Sequence, residues 1–260
     1  MSELIQELSP NGVLRLMMNR PEIHNAFDAE QQQRLIDALE GAAENPEVKV
    51  IVIGGEGKSF SAGGDIHYMR SMGSNTYEQN LADAGRLAKL MKTLNFMPKP
   101  TIARVHGAAM GGGVGLVCCC DIAVGTPKAR LALSEIKIGM VPATIAPYVV
   151  RSIGEKPARR FFMTGEMINA ERAQQVGFLS EVVAEDALDD HIEEIAGMLT
   201  NNAPGGFVKA KWIINEVHDK EIDDEVISTT VKFIADIRDS DEGREGLSAF
   251  LEKRKPNWQA

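Results

Sequence analysis

Apolar runs alternate between strand-like and helix-like lengths as far as Val183, and after it only helical spacing remains. That order predicts an α/β core followed by a helical tail. Val13–Met18 reads as a strand after the Pro10-Asn11-Gly12 turn and pairs with Leu4–Leu8 as a hairpin. Val48–Ile53 is a β-branched run of buried-strand type, stopped by Gly54-Gly55. Thr101–Val105, Ile122–Val124 and Leu131–Leu133 supply further short strands. Asp28 with Gln31 has capping-box spacing ahead of a helix whose buried face is Leu35, Ile36 and Leu39. A longer helix is expected from Tyr77 to Leu94, with Leu81, Ala84, Leu87, Ala88 and Met91 on one side. The tail offers helices over 186–199, 206–218, 223–237 and 243–253, and the division is expected as a core over 1–200 and a helical region over 201–260.

Charge and cysteine usage narrow the function classes. The 28 Lys and Arg face 37 Asp and Glu, a net charge of −9, which repels a phosphate backbone, so no nucleic-acid partner is expected. No run reaches the ~18 apolar residues of a membrane span. The start carries Glu3 and Glu7 and no basic stretch, unlike a secretory leader. Cys118, Cys119 and Cys120 are consecutive, which suits neither a disulfide framework nor a spaced metal site. A cytoplasmic, metal-free protein is the expectation.

Two familiar motifs are approached and missed. Gly57-Lys58-Ser59 follows a strand, but the glycine a P-loop needs five positions earlier is Val52. Gly111 and Gly113 begin a dinucleotide fingerprint whose third glycine is replaced by Leu116. The five histidines, His24, His67, His106, His191 and His218, are scattered.

Two glycine-rich turns remain, each after a strand: Ser59-Phe60-Ser61-Ala62-Gly63-Gly64-Asp65-Ile66 and His106-Gly107-Ala108-Ala109-Met110-Gly111-Gly112-Gly113. Small residues let a ligand approach the main chain, and two N–H groups converging on one carbonyl oxygen form an oxyanion hole. Each such donor is worth about 3–4 kcal/mol to an enolate-like transition state. With Asn19-Arg20-Pro21, Asn25-Ala26, Lys99–Ala103, Cys120-Asp121-Ile122, Ser134–Pro142, Thr164-Gly165-Glu166, Gly177-Phe178-Leu179 and Phe250–Pro256, these turns resemble the crotonase (enoyl-CoA hydratase/isomerase) superfamily along nearly the whole chain.

The resemblance implies a spiral of β-β-α turns, a C-terminal helical trimerisation region, and a homotrimer or homohexamer. It implies an acyl-CoA thioester substrate with no cofactor beyond its coenzyme A, and main-chain donors at Gly64 and Gly112. It assigns CoA contacts to His24, Ala26, Ala62, Asp65, Ile66 and Lys253, and the catalytic acid/base to Glu135. Hydratases of this family hold one water between two glutamates twenty positions apart, and the first of those positions here is Gly115. The Pro142–Val150 wall, with Thr144, Ile145 and Ala146 in place of a glycine-rich segment, looks most like methylglutaconyl-CoA hydratases. The expected activity is hydration of a branched or glutaconyl-type 2-enoyl-CoA. The alternatives are a Δ3,Δ2-enoyl-CoA isomerase using Glu135 alone and a non-catalytic CoA-binding scaffold. Arg70, Arg86 and Arg151 are the cations weighed for a distal carboxylate.

Overall fold

β-branched and aliphatic runs become the central strands, because both faces of a mostly parallel sheet are covered. A computed structural model describes residues 2–259, the side chains of Ile66, Ser71 and Met72 excepted. In chain order come β1 (Leu4–Leu8), β2 (Val13–Met18), α1 (Ala29–Glu44), β3 (Val50–Gly55), β4 (Ser59–Ser61), α2 (Ile66–Met72) and α3 (Tyr77–Asn95). Then follow β5 (Thr101–Val105), β6 (Ala108–Met110), α4 (Gly112–Cys119), β7 (Ile122–Gly125), β8 (Arg130–Ala132), α5 (Ala146–Ile153) and α6 (Glu155–Thr164). The remainder is β9 (Ile168–Asn169), α7 (Ala170–Val176), β10 (Glu181–Val182), α8 (Leu188–Thr200), α9 (Pro204–Val217), α10 (Asp224–Asp239) and α11 (Asp241–Glu252).

Two sheets form. The larger has the order β1-β2-β3-β5-β7-β10 and is parallel except for the β1–β2 hairpin. The smaller has the order β4-β6-β8-β9, with only β8–β9 antiparallel. Each strand of the larger sheet from β3 to β7 is followed by one of the smaller: β4 after β3, β6 after β5 and β8 after β7. The spiral of β-β-α turns is this repeat.

The chain divides into two compact units, Met1–Ala196 and Gly197–Ala260, the division falling inside α8 rather than at the expected 200/201 boundary. Leu16, Leu35, Ile36, Leu39, Ile51, Ile53 and Phe60 are fully buried in the first unit's core. The second unit comprises the last turn of α8 and α9 to α11, with Trp212 and Phe233 packed at 4.3 Å between ring centroids, their planes tilted by 37°.

Local chemistry departs from the sequence pattern in two places. Asp28 accepts from the Gln31 N–H at 2.7 Å, but Gln31 turns its side chain to the Glu3 carbonyl, so the predicted capping box is half made. The complete box belongs to α3, where Thr76 and Gln79 each bond the other's main chain. On α3, Leu81 is 61% exposed, so the apolar stripe buries only its later part, Leu90, Met91 and Leu94.

Candidate active site

The segment after β2 braces the first glycine turn. His24 and Asn25 both have φ of 55°, a left-handed bend that brings residues 24–27 alongside residues 62–65. There Ala62 N–H donates to His24 C=O at 2.9 Å, Phe27 N–H to Gly63 C=O at 2.6 Å, and Asp65 N–H to Phe27 C=O at 2.8 Å. Asn25 is buried and adds bonds from its Nδ2 to the carbonyls of Glu56 and Ser59. In this parallel bridge the residues flanking Gly64 make the bonds, so the Gly64 N–H faces the opposite side.

The second turn packs directly on the first. A Cβ on Gly63, whose φ is +81°, would lie 2.7 Å from the Met110 carbonyl oxygen and 3.7 Å from the Gly112 nitrogen. Gly111, at φ 48° and ψ −115°, starts α4, so Gly112 N–H is a first-turn donor with no intrahelical acceptor. Both conformations favour glycine, and a side chain at Gly63 would force the two turns apart.

Glu135 arrives from a third direction. β8 pairs with β6, and Gly111 N–H donates to Ala132 C=O at 2.9 Å, so the short 3-10 turn Ser134–Ile138 begins beside the second glycine turn. Glu135 Oε1 sits 2.9 Å from where a Cβ on Gly111 would be. Its Oε2 is buried with no protein partner. Burial pushes the Glu135 carboxyl above its ordinary value, against a main-chain hydrogen bond within the residue that lowers it.

Gly64, Gly112 and Glu135 line one cavity of about 240 Å3. Its apolar walls come from Phe27, Met69, Leu87, Met140, Val141 and Ile145. Gln32, Tyr68 and Asp83 also line it, and the motif reading did not single them out. Tyr68 donates its hydroxyl to Asp83, whose carboxylate is also 3.3 Å from Arg86 Nη1. Burial and Asp83 push the Tyr68 phenol up to about 12, which keeps its proton in place. Helix periodicity places Asp83 one turn before Leu87 and Gln32 one turn before Ile36, each on the same face as its partner, but neither residue carries a motif that marks it for a site.

The residues expected to contact CoA have other surroundings. None of His24, Ala26, Ala62 and Asp65 lines this cavity. His24 Nδ1 lies 3.0 Å from Ser59 Oγ, and Ala26 is 5% exposed. The Asp65 carboxylate caps α2, accepting from the N–H groups of His67 and Tyr68 at 2.8 and 3.0 Å. The Ile66 side chain lies outside the described residues. Lys253, in the second unit, is an exposed left-handed residue with φ of 56° that ends α11. Of the three arginines weighed for a distal carboxylate, Arg86 is paired with Asp83, while Arg70 and Arg151 are exposed.

The place of the absent second glutamate is filled. A Cβ on Gly115 would lie 2.4 Å from Ile145 Cγ2 and 3.0 Å from Met91 Sδ. Ile145, from the altered wall segment, is 2% exposed and occupies that space. Larger hollows exist elsewhere: about 600 Å3 beside β1 and α1, and about 700 Å3 within the second unit. Neither is lined by Glu135 or by either of the two glycine turns that follow β3 and β5. Among the described residues no group of three or more His, Cys, Asp or Glu is gathered for a metal, and no helix is long and apolar enough to cross a membrane.

Comparison with known proteins gives a consistent result. The family model described as enoyl-CoA hydratase/isomerase matches residues 9–260. The 2,3-dehydroadipyl-CoA hydratase of Escherichia coli is 31% identical over 262 residues, covering 100% of this chain and 99% of the relative. The crystal structure of an enoyl-CoA hydratase from Shewanella pealeana superposes with a TM-score of 0.95 at 40% identity, covering 99% of this chain and 96% of that one. An enoyl-CoA hydratase structure from Mycobacterium smegmatis gives a TM-score of 0.92 at 32% identity, with full coverage of both chains at 100%.

Proposed function

Since the chain belongs to the enoyl-CoA hydratase/isomerase family, we propose that it adds water across the 2,3 double bond of a branched 2-enoyl-CoA, with Glu135 as the acid/base. The observation that carries this reading is the convergence of two glycine turns on one half-buried carboxylate, whose Oε2 is buried without a protein partner, in a largely apolar cavity. The Gly64 and Gly112 N–H groups hold the thioester oxygen. As water oxygen bonds to C3, Glu135 takes its proton, and the double-bond electrons move through C2 and the thioester carbon onto that oxygen. The enolate is stabilised by the two donors. Glu135 then returns a proton to C2, and the balance is one water added.

A glutaconyl-type substrate would bring a carboxylate into a cavity whose other lining carboxylate is Asp83, already engaging Arg86. A branched acyl group without that charge fits the apolar walls better. The reading also includes coenzyme A as part of the substrate with no further cofactor, a cytoplasmic location, and a homotrimer or homohexamer. Exposed apolar side chains in the second unit, among them Leu247, Phe250 and Leu251, favour self-association.

Gly115 with Ile145 in its space favours a second reading, a Δ3,Δ2-enoyl-CoA isomerase. Isomerisation needs one group to lift a proton from C2 and place one on C4 as the double bond shifts, with no held water. Incubation of 2-enoyl and 3-enoyl thioesters in deuterated water separates the two. Hydration yields a 3-hydroxyacyl-CoA heavier by one water, and isomerisation yields an unhydrated conjugated product that exchanges deuterium. A panel in which no thioester reacts while CoA still binds leaves the non-catalytic scaffold.

A further inference from the structure

A hollow of about 310 Å3, lined by parts of α6, β8, β9 and the start of α7, gathers charge of one sign. Arg130, Arg160 and Arg172 line it against a single carboxylate, Glu166, in a chain whose net charge is −9. Separate elements bring the three arginines there. Arg130 opens β8 and stands opposite Asn169 of β9. Asn169 caps α7, accepting from the Arg172 N–H at 2.8 Å, so Arg172 lies in that helix's first turn. Arg160, on α6, holds Glu166 with two bonds, Nε to Oε1 at 2.6 Å and Nη2 to Oε2 at 3.0 Å. That pairing, helped by the charge of Arg172, keeps the Glu166 carboxyl below its ordinary value.

Glu166 engages only one of the three guanidinium groups. Arg130 turns its Nη1 to the main-chain carbonyls of Pro127 and Ala129, and Arg172 turns its Nη1 to the neutral Gln175. Among the described residues neither meets a carboxylate, and the Nε and Nη2 donors of both bond to nothing. Lys137 adds a cation beside the same segment, its Cε 3.2 Å from where a Cβ on Gly165 would be. The rest of the lining is largely apolar: Phe161 and Ile168 are each 2% exposed, and Met167 is open.

Like charges held around one hollow repel, and an anion between them removes that cost. Guanidinium forks match phosphate oxygens two at a time. The surplus of two positive charges suits a doubly charged group, and a carboxylate would cancel half of it. We propose that this hollow binds a phosphate monoester, its dianionic head on Arg130 and Arg172 and its organic part against Phe161 and Met167. The proposal does not rest on the acyl-CoA reading, since no residue lining this hollow lines the Glu135 cavity.

Calorimetric titration of the full chain at pH 8, where a phosphate monoester is a dianion, tests it with phenyl phosphate, inorganic phosphate and benzoate. Phenyl phosphate is expected to bind with a Kd below about 1 mM in 0.1 M salt, inorganic phosphate more weakly, and benzoate roughly tenfold more weakly. Arg130→Gln and Arg172→Gln should each weaken phenyl phosphate roughly tenfold. Arg159→Gln, which removes an exposed cation paired with Glu155 outside the hollow, should leave it unchanged. Glu166→Gln releases Arg160 and should tighten it, a gain that general attraction to a basic surface does not single out from the loss at Arg130 and Arg172. A weaker Kd, equal affinity for benzoate or inorganic phosphate, or binding that survives both Arg130→Gln and Arg172→Gln overturns the proposal. So does loss of phenyl phosphate binding in saturating CoA, which would make the hollow the phosphate end of a CoA site.

Discussion

Glu135 is a carboxyl whose charge state is set by where the chain puts it. Its proposed task requires the ionised form to receive a proton, and burial raises its pKa above the ordinary carboxylate value. The acid limb of kcat/KM is therefore expected at higher pH than for a solvated glutamate. Glu135→Gln should lower kcat/KM by about 10²–10⁴ while calorimetry shows CoA affinity close to that of the parent. Stability supplies an independent reading of the same group. With the folded pKa raised, the stabilising contribution is fully present below the unfolded value and is lost as pH rises through the folded one. The neutral variant should consequently melt above the parent at pH 7, and the two should converge in acid. A gap in melting temperature that persists in acid would contradict the assigned burial.

At the scale of elements, α2 is the piece whose construction is easiest to disturb. It has only seven residues, Ile66–Met72, begins directly after the first glycine turn, and brings Tyr68 and Met69 to the cavity. The Asp65 carboxylate holds its first turn through two main-chain bonds, so Asp65→Ala should cost about 1 kcal/mol. Hydrogen exchange should quicken across residues 66–72 and KM should rise, while the acid limb set by Glu135 stays where it was. The glycine turns, the central strands and the lone glutamate were legible in the sequence because each rests on a local signal: a small-residue run, a β-branched run, a motif. Gln32 and Ile145 were not. Gln32 lies on the predicted buried face of α1, one turn before Ile36, but nothing local tells that its amide lines a cavity shared with α2, α3 and the turn of Glu135. Ile145 shows as a changed wall, but that it enters the space beside Gly115 is a tertiary fact.

For the molecule as a whole, the second unit is conspicuous for the apolar surface it leaves uncovered. Phe250 is 80% exposed and Leu251 70%, on α11, and Ile234 on α10 is 44% exposed. Exposed clusters of this kind mark association surfaces. If the proposed trimer or hexamer forms through them, Phe250→Asp should shift the sedimentation coefficient toward the single chain, with the far-ultraviolet circular dichroism unchanged. A variant that sediments like the parent would move the interface elsewhere. The hairpin β1–β2 and the parallel core belong to the first unit and should be indifferent to that change.

The isoleucine lodged against Gly115 also shapes which neighbouring designs can be reached one step at a time. Gly115→Glu alone drives a side chain into occupied space, and overpacking of this sort costs about 1–3 kcal/mol. Ile145→Gly alone opens a void costing about 2–5 kcal/mol. Together the two changes relieve each other, so the melting temperature of the double variant should exceed what the single losses add up to. A second acid at this spot is then a paired acquisition, with both intermediates lying in a trough between two workable catalysts.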